Sequence, residues 1–105
     1  VHGSRGLGDV YKRQAEALGD KKVIILQNHG ILTTGPSVDI ALWFYTSMER
    51  CCQAQLMADA AGETQLIPHD TAIKTRSFIA NDVAAWASFQ PAFDMICKKE
   101  PDLFD

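Results

Sequence analysis

Two short apolar runs flank a turn in the first third of the chain. Val23–Leu26 is a continuous aliphatic run, typical of a strand that is covered on both faces. Asn28, His29 and Gly30 come next, and Asn and Gly tolerate the backbone conformations that a chain reversal requires. A second apolar run over residues 31–34 leads away from them. The pattern therefore predicts a pair of short strands that meet at His29.

A long stretch with a helical period of apolar positions comes after the second strand. Ser37 predicts its N-cap, Asp39 in the first turn favours the helix dipole, and Gly62 predicts its end. Trp43 and Met57 fall near the polar side, where we expect large apolar side chains to contact another subunit. The remaining apolar positions cover half the circumference and predict burial against the sheet and a second element: Val38, Ala41, Phe44, Tyr45, Met48, Cys51, Cys52, Leu56 and Ala58.

Shorter elements are predicted on both sides of this helix. Residues 15–18 resemble the last turn of a helix, with Gly19 as its stop signal. Residues 64–68 fit either a short edge strand or a loop, and we favour the loop. Asp70 then predicts the cap of a short helix that ends at Phe78.

A last helix is predicted to begin at Asn81 or Asp82. Pro91 lacks the main-chain donor of a helix interior, so we expect a kink or a break near Ser88. Pro101 ends the helix and leaves a short tail. The helical period is carried by Val83, Trp86, Phe89, Phe93, Ile96 and Cys97.

The first 14 residues do not match the pattern of the rest of the chain. They contain three glycines and show neither a helical nor a strand period. The string from Gly6 to Gln14, G-L-G-D-V-Y-K-R-Q, resembles translated library-adapter sequence. We therefore interpret residues 1–14 as a non-native or disordered leader, with Val10 and Tyr11 outside any core.

Composition narrows the class of protein. The 105 residues, 47% hydrophobic and 22% charged, suit one small globular domain or part of a larger one. The net charge of −3 gives no electrostatic reason to expect nucleic acid or an anionic membrane as a partner. No apolar run reaches the roughly 18 residues of a membrane span. The three cysteines lack a framework spacing and are interpreted as reduced core residues of a cytoplasmic protein.

His29 is the strongest candidate for chemistry. An imidazole at the end of a strand is held rigidly enough for a metal ligand or a general base, although the same pattern fits a turn residue without chemistry. The other histidines are His2, in the leader, and His69, in a loop. Spacing alone assigns no second or third metal ligand, no nucleophilic serine and no Cys–His pair.

The sequence resembles a known family over residues 15–105. The run A-L-G-D-K-K-V-I-I-L-Q-N-H-G-I-L-T-T-G, followed by D-I-A-L-W-F-Y-T-S-M-E-R-C-C-Q-A-Q-L, is similar to the class II aldolase/adducin family. The later string W-x-x-F-Q-P-x-F-D-x-I resembles its fungal members. The resemblance implies an α/β fold, a partial α/β/α sandwich. The resemblance further implies that this chain is a C-terminal fragment, in which a short antiparallel strand pair precedes a long helix and C-terminal helices.

The resemblance also implies a metal site. In catalytic members, the histidine at this position is one of three that hold zinc, so His29 would be a ligand supported by Asn28 and Gly30. The family's other two ligands come from a His-x-His pair and its acid/base is a glutamate further upstream. This chain contains no His-x-His pair, so tight zinc binding is not expected here.

By this resemblance, the parent protein would be a zinc-dependent lyase or epimerase. Its substrate would be a small hydroxylated carbon compound, phosphorylated in some members, and it would be a homo-oligomer, usually a tetramer. The fragment alone would be inactive. The alternative is an adducin-like, non-catalytic cytoskeletal or protein-interaction module.

Overall fold

The computed structural model describes residues 7–105. These residues form a two-stranded antiparallel sheet and four α-helices. This confirms an α/β chain in which a strand pair precedes a long helix and C-terminal helices, while the α/β/α sandwich stays a prediction. In chain order the elements are α1 (Leu7–Leu18), β1 (Val23–Leu26), β2 (Gly30–Thr33), α2 (Val38–Ala61), α3 (His69–Ile79), α4 (Asp82–Lys99) and a 3-10 helix (Pro101–Phe104).

The hairpin of β1 and β2 confirms the predicted strand pair. The strands pair in antiparallel register from Val23 with Thr33 to Leu26 with Gly30, and residues 27–29 form the turn. The prediction that β1 is covered on both faces is wrong for the described residues. Ile25 is 65% exposed, because the helices that contact this two-stranded sheet leave its side chain uncovered.

The core lies where α2 meets α4 beside the hairpin. Ile40 and Phe44 of α2 and Ala85 of α4 are buried. Helix α2 contacts both strands as well as α4, so apolar side chains from three parts of the chain meet at this one place. Half-buried residues packed against the three are Val23, Trp43 and Ala80.

Contacts of Lys22 and Thr33 and a close approach at Gly35 also connect the hairpin and its flanking residues to the helices. The Lys22 ammonium lies 4.8 Å from the centroid of the Phe44 ring and donates to the Ala80 carbonyl. The Thr33 hydroxyl donates to the Ala41 carbonyl at 2.8 Å. A side chain at Gly35 would place its Cβ 3.0 Å from the side chain of Ile40, so glycine allows the chain to approach α2 closely.

The second half of α2 is not covered by other elements of the described structure. The helix begins after Ser37 and ends before Gly62, as predicted. Every residue from 53 to 61 is exposed, and Leu56 is 72% exposed. The predicted burial of the whole apolar stripe is therefore wrong for this half, because the elements that contact α2 (β1, β2 and α4) pack against its other half. It is also wrong for Val38 and Tyr45 of the first half, which are 77% and 42% exposed.

The N-terminal helix corrects one prediction about the leader. Helix α1 begins at Leu7, so the expectation that residues 1–14 lack regular structure is wrong for residues 7–14. Lys, Arg, Gln, Ala and Glu, which occupy residues 12–17 of this helix, are good helix formers and account for the difference. Tyr11 is 63% exposed. The side chain of Val10 and residues 1–6 lie outside the described part, and a non-native origin of the leader stays a prediction.

The predicted end of α1 is confirmed. Helix α1 ends at Leu18, and Gly19 comes next with φ 55° and donates to the Ala15 carbonyl at 3.0 Å. This left-handed conformation is the one that glycine adopts at least cost.

The start of α3 differs from the prediction and the start of α4 confirms it. Helix α3 begins at His69, which places Asp70 in its first turn and not at the cap. The predicted loop over residues 64–68 is confirmed. Helix α4 begins after Asn81, whose side-chain oxygen accepts from the Ala84 amide at 2.8 Å.

The C-terminal segment departs from two predictions. Helix α4 runs unbroken past Pro91 to Lys99, so the predicted break near Ser88 is wrong, whereas a kink there stays a prediction. The proline removes only its own main-chain donor, and the turns on both sides keep theirs. The expected tail is a 3-10 helix that starts at Pro101, a residue suited to a first helical position. Its Phe104 ring packs edge-on against Phe93 with centroids 6.3 Å apart. Within residues 7–105, no helix is both long enough and apolar enough to cross a membrane.

Candidate functional site at the hairpin turn

The turn that carries His29 is held by its main chain. The His29 amide donates to the Leu26 carbonyl at 3.1 Å, next to the last pair of the strand ladder. Asn28 has φ 60° and Gly30 has φ 154°. Asparagine and glycine adopt positive φ at lower cost than other residues, so the sequence N-H-G suits this turn and leaves His29 exposed at its tip.

The described residues do not complete a metal site around His29. Among residues 7–105, no group of three His, Cys, Asp or Glu residues lies close enough together to hold a metal ion. A catalytic zinc requires three protein ligands and one open position. Within the described residues, the turn therefore supplies one imidazole, that of His29, and the set of ligands that zinc requires is incomplete.

The other candidate residues, two histidines and two large apolar residues of α2, are distant in sequence from the hairpin turn. His69 is the exposed first residue of α3, and His2 lies outside the described residues. Trp43 is half-buried against the core and not on the polar side of α2, because the indole packs beside the buried Phe44. Met57 is 66% exposed. A subunit contact through Trp43 or Met57 stays a prediction.

The cysteines only partly fit the expectation of core residues. Cys51 is exposed, whereas Cys52 and Cys97 are half-buried. All three are free thiols. Cys51 and Cys52 are adjacent on α2, so their side chains point about 100° apart.

Sequence reasoning missed a basic cleft between the turn before β1 and the junction of α3 with α4. Its volume is about 670 Å³. The signal was present in the sequence as Lys21-Lys22, but its partner Arg76 lies far along the chain and could not be paired with it. The lining residues are Asp20, Lys21, Lys22, Val23, Arg76, Ser77, Ala80 and Asn81.

A second feature that was missed is an apolar groove of about 450 Å³ between α2 and α4. Asp39 is its only carboxylate among the lining residues. The Ser37 hydroxyl donates to the Asp39 carboxylate and is the main cause that lowers the pKa of Asp39, with a smaller contribution from the Ile40 amide. The other lining residues are Val38, Leu42, Trp86, Phe89, Gln90, Phe93, Ile96 and Leu103.

Comparison with known proteins finds relatives that are similar in sequence over most of this chain. Decarboxylase NovR from Streptomyces niveus is 38% identical over 92 residues, which are 88% of this chain and 34% of that protein. The 4-hydroxy-3-prenylphenylpyruvate oxygenase/4-hydroxy-3-prenylbenzoate synthase of Streptomyces roseochromogenus subsp. oscitans is also 38% identical over 92 residues, with 88% and 33% covered. The meiotically up-regulated gene 14 protein of Schizosaccharomyces pombe is 39% identical over 85 residues, with 78% and 33% covered.

These relatives are longer than this chain, which spans about a third of their length. No solved structure matches the chain significantly. The sequence profile described as Class II Aldolase and Adducin N-terminal domain matches residues 1–56. That match covers more than half of the chain and includes the whole hairpin with its N-H-G turn. The chain therefore belongs to the class II aldolase/adducin family.

Proposed function

We propose that this chain contributes one metal-ligating histidine, His29, to a zinc-dependent enzyme of the class II aldolase type. The observation that carries the proposal is the hairpin turn, whose main chain is fixed while the His29 side chain is exposed. A rigid backbone lowers the entropy that an imidazole loses on binding a metal. Membership of the family adds support, because its catalytic members use a histidine at this point of the sequence.

The proposed reaction is the cleavage or formation of a carbon–carbon bond in a small oxygenated compound. Aldol cleavage and epimerisation of hydroxylated, including phosphorylated, compounds are the reactions of the enzymes that the sequence resembles. One relative is named a decarboxylase, and another is named for a phenylpyruvate derivative and a benzoate product. Because of these names, the proposed class of reactions includes decarboxylation as well as aldol cleavage. No catalytic step is assigned to the described residues, because they do not form a complete metal site.

We propose that the chain is part of a larger α/β unit and of a cytoplasmic homo-oligomer. Its accessible surface is 8673 Å², whereas a compact monomer of 11.6 kDa exposes about 5,800 Å². Its radius of gyration is 16.9 Å, against about 13 Å for a compact domain of this length. The excess surface supports a partner, and the remaining metal ligands would come from residues outside the described ones.

The alternative function is an adducin-like interaction module without catalysis. The observation in its favour is the exposed apolar surface of the second half of α2 and the loop after it, because large apolar patches mark interaction sites. An oligomeric enzyme and an interaction module would both bury such a surface against a partner. Zinc binding, and not the exposed surface, therefore discriminates between the two functions.

The test is the zinc content of a longer protein that contains this sequence together with a His-x-His pair. His29→Ala should remove stoichiometric zinc and carbon–carbon bond cleavage while circular dichroism stays unchanged. His69→Ala is the matched control and should keep the zinc. The 105-residue chain alone should show no site tighter than about 1 μM.

Two outcomes would contradict the proposal. One is a longer protein that keeps its zinc after His29→Ala. The other is a 105-residue chain that retains one zinc per molecule after dialysis. A longer protein that binds a protein partner equally well with and without zinc, and has no lyase or decarboxylase activity, would favour the interaction module.

A further inference from the structure

The basic cleft lies at the opposite end of the hairpin from His29. Three cationic side chains line it, Lys21, Lys22 and Arg76, against a single carboxylate, Asp20. The chain as a whole carries a net charge of −3. The lining side chains of the cleft therefore carry a net positive charge, opposite in sign to that of the whole chain.

Main-chain hydrogen bonds fix the two segments that present these cations. On one side, the Lys21 amide donates to the Leu18 carbonyl at 3.0 Å. On the other side, the Ala80 amide donates to the Arg76 carbonyl at 2.9 Å, which closes the last turn of α3. The backbone positions of Lys21 and Arg76 are thus set before any ligand arrives, which lowers the entropy lost on binding.

Lys22 joins the two walls of the cleft. Its ammonium donates to the Ala80 carbonyl and lies over the Phe44 ring of the core. Lys22 therefore stabilises the fold, while its charge also contributes to the positive electrostatic potential of the cleft. Lys21 and Arg76 are exposed and carry the donors that can reach a ligand.

The neutral polar side chains of the cleft already donate to the main chain. The Ser77 hydroxyl donates to the Lys74 carbonyl at 2.8 Å. The Asn81 amide donates to the Phe78 carbonyl at 3.0 Å and to the Ser77 carbonyl at 3.3 Å. Recognition in this cleft therefore depends on charge more than on neutral hydrogen bonds.

We propose that this cleft binds a phosphate group, free or as a monoester, through Lys21 and Arg76. A guanidinium matches phosphate oxygens with two parallel donors, and an ammonium adds a point charge. Three cations against one carboxylate leave the lining net positive, and this charge attracts a dianion more strongly than a monoanion because Coulomb attraction scales with the charge of the ligand. The cleft volume of about 670 Å³ admits a small phosphate ester.

The experiment is equilibrium dialysis of the 105-residue chain against inorganic phosphate at low salt, a measurement that tolerates self-association. We expect saturable binding that weakens about tenfold in Arg76→Gln and in Lys21→Gln, in line with the loss of one charge-assisted contact. The matched control is Lys74→Gln, which removes one exposed charge from α3 outside the cleft and should change the affinity less than about twofold. Arg76→Lys should recover part of the affinity, because it restores the charge without the planar fork.

Added salt and a second probe sharpen the result. The affinity should fall between 50 and 200 mM salt by about tenfold or less, because few charges take part. Comparison of inorganic phosphate with glycerol phosphate distinguishes the free ion from an ester. Binding that never saturates, an equal loss in the cleft variants and in Lys74→Gln, or no binding at about 10 mM phosphate would each overturn the proposal.

Discussion

The two halves of α2 have similar apolar character and opposite surroundings. The first half lies against β1, β2 and α4 and contributes Ile40 and Phe44 to the core. The second half is exposed from residue 53 to its end, and the loop after it carries Leu66, which is 94% exposed. An amphipathic period thus buries its apolar face only where another part of the chain returns to it.

This contrast bears on what the chain requires in order to be stable. Among the residues whose burial the structure describes, three are buried, which is a small core, since small domains depend on burying most of their apolar surface. The half of α2 without cover offers the apolar surface that a partner would bury. Substitutions in the two halves should therefore have different effects on association and on stability.

The largest expected effect is on the association state. We expect the chain alone to self-associate through the exposed half of α2, because apolar surface there is in contact with water. The double variant Leu56→Lys with Met57→Lys should shift sedimentation velocity profiles toward the monomer. Gln53→Lys, which adds a charge at an exposed polar position of the same helix, should not. A monodisperse wild-type monomer with a cooperative melt would contradict this prediction.

The second-largest expected effect is a difference in stability between apolar truncations in the two halves of α2. Phe44→Ala removes a buried ring that also lies under the Lys22 ammonium and should lower the free energy of unfolding by about 3 kcal/mol. Leu56→Ala, in the exposed half, should change it by less than about 0.5 kcal/mol. Urea denaturation at low protein concentration measures both. Equal losses in the two variants would mean that the second half of α2 is buried in solution.

The helix caps provide a smaller effect. Asn81→Ala removes the side-chain bond to the Ala84 amide and should cost about 1 kcal/mol of stability. Ser37→Ala should cost only a few tenths of a kcal/mol, because Ser37 makes no side-chain cap bond to α2. The same denaturation measurement compares the two. If Ser37→Ala proved the more damaging variant, the hydroxyl would have to bind the α2 amides in solution.

The smallest expected effect is on the pH dependence of stability. The Ser37 hydroxyl, and then the Ile40 amide, hold the pKa of Asp39 below its ordinary value of 3.8. A carboxyl with a lower pKa in the folded state stabilises the fold above its unfolded pKa. That contribution is lost as the pH falls through the lower, folded value.

Asp39→Asn should therefore reduce the acid dependence of unfolding slightly, and only at pH values below about 4. Ser37→Ala should return the pKa of Asp39 toward 3.8. A titration of the Asp39 carboxyl by NMR checks both statements. A wild-type pKa at or above the ordinary value would contradict them.

Much of the local structure could be read from the sequence. The β-branched and aliphatic run of β1, the N-H-G turn and the bounds of α2 between Ser37 and Gly62 were predicted correctly. The position of His29 at the hairpin turn could be read from the same residues. Each of these features depends on the backbone preferences of residues that are close together in the chain, which is why sequence alone determines them.

The tertiary structure decided which apolar residues are covered and which charges meet. Ile25 and Leu56 sit in patterns that predict burial, yet both are exposed because no other described element reaches them. The basic cleft exists only because α3 brings Arg76 back to Lys21. Burial and charge clustering depend on contacts between residues that are distant in sequence, and no local pattern contains that information.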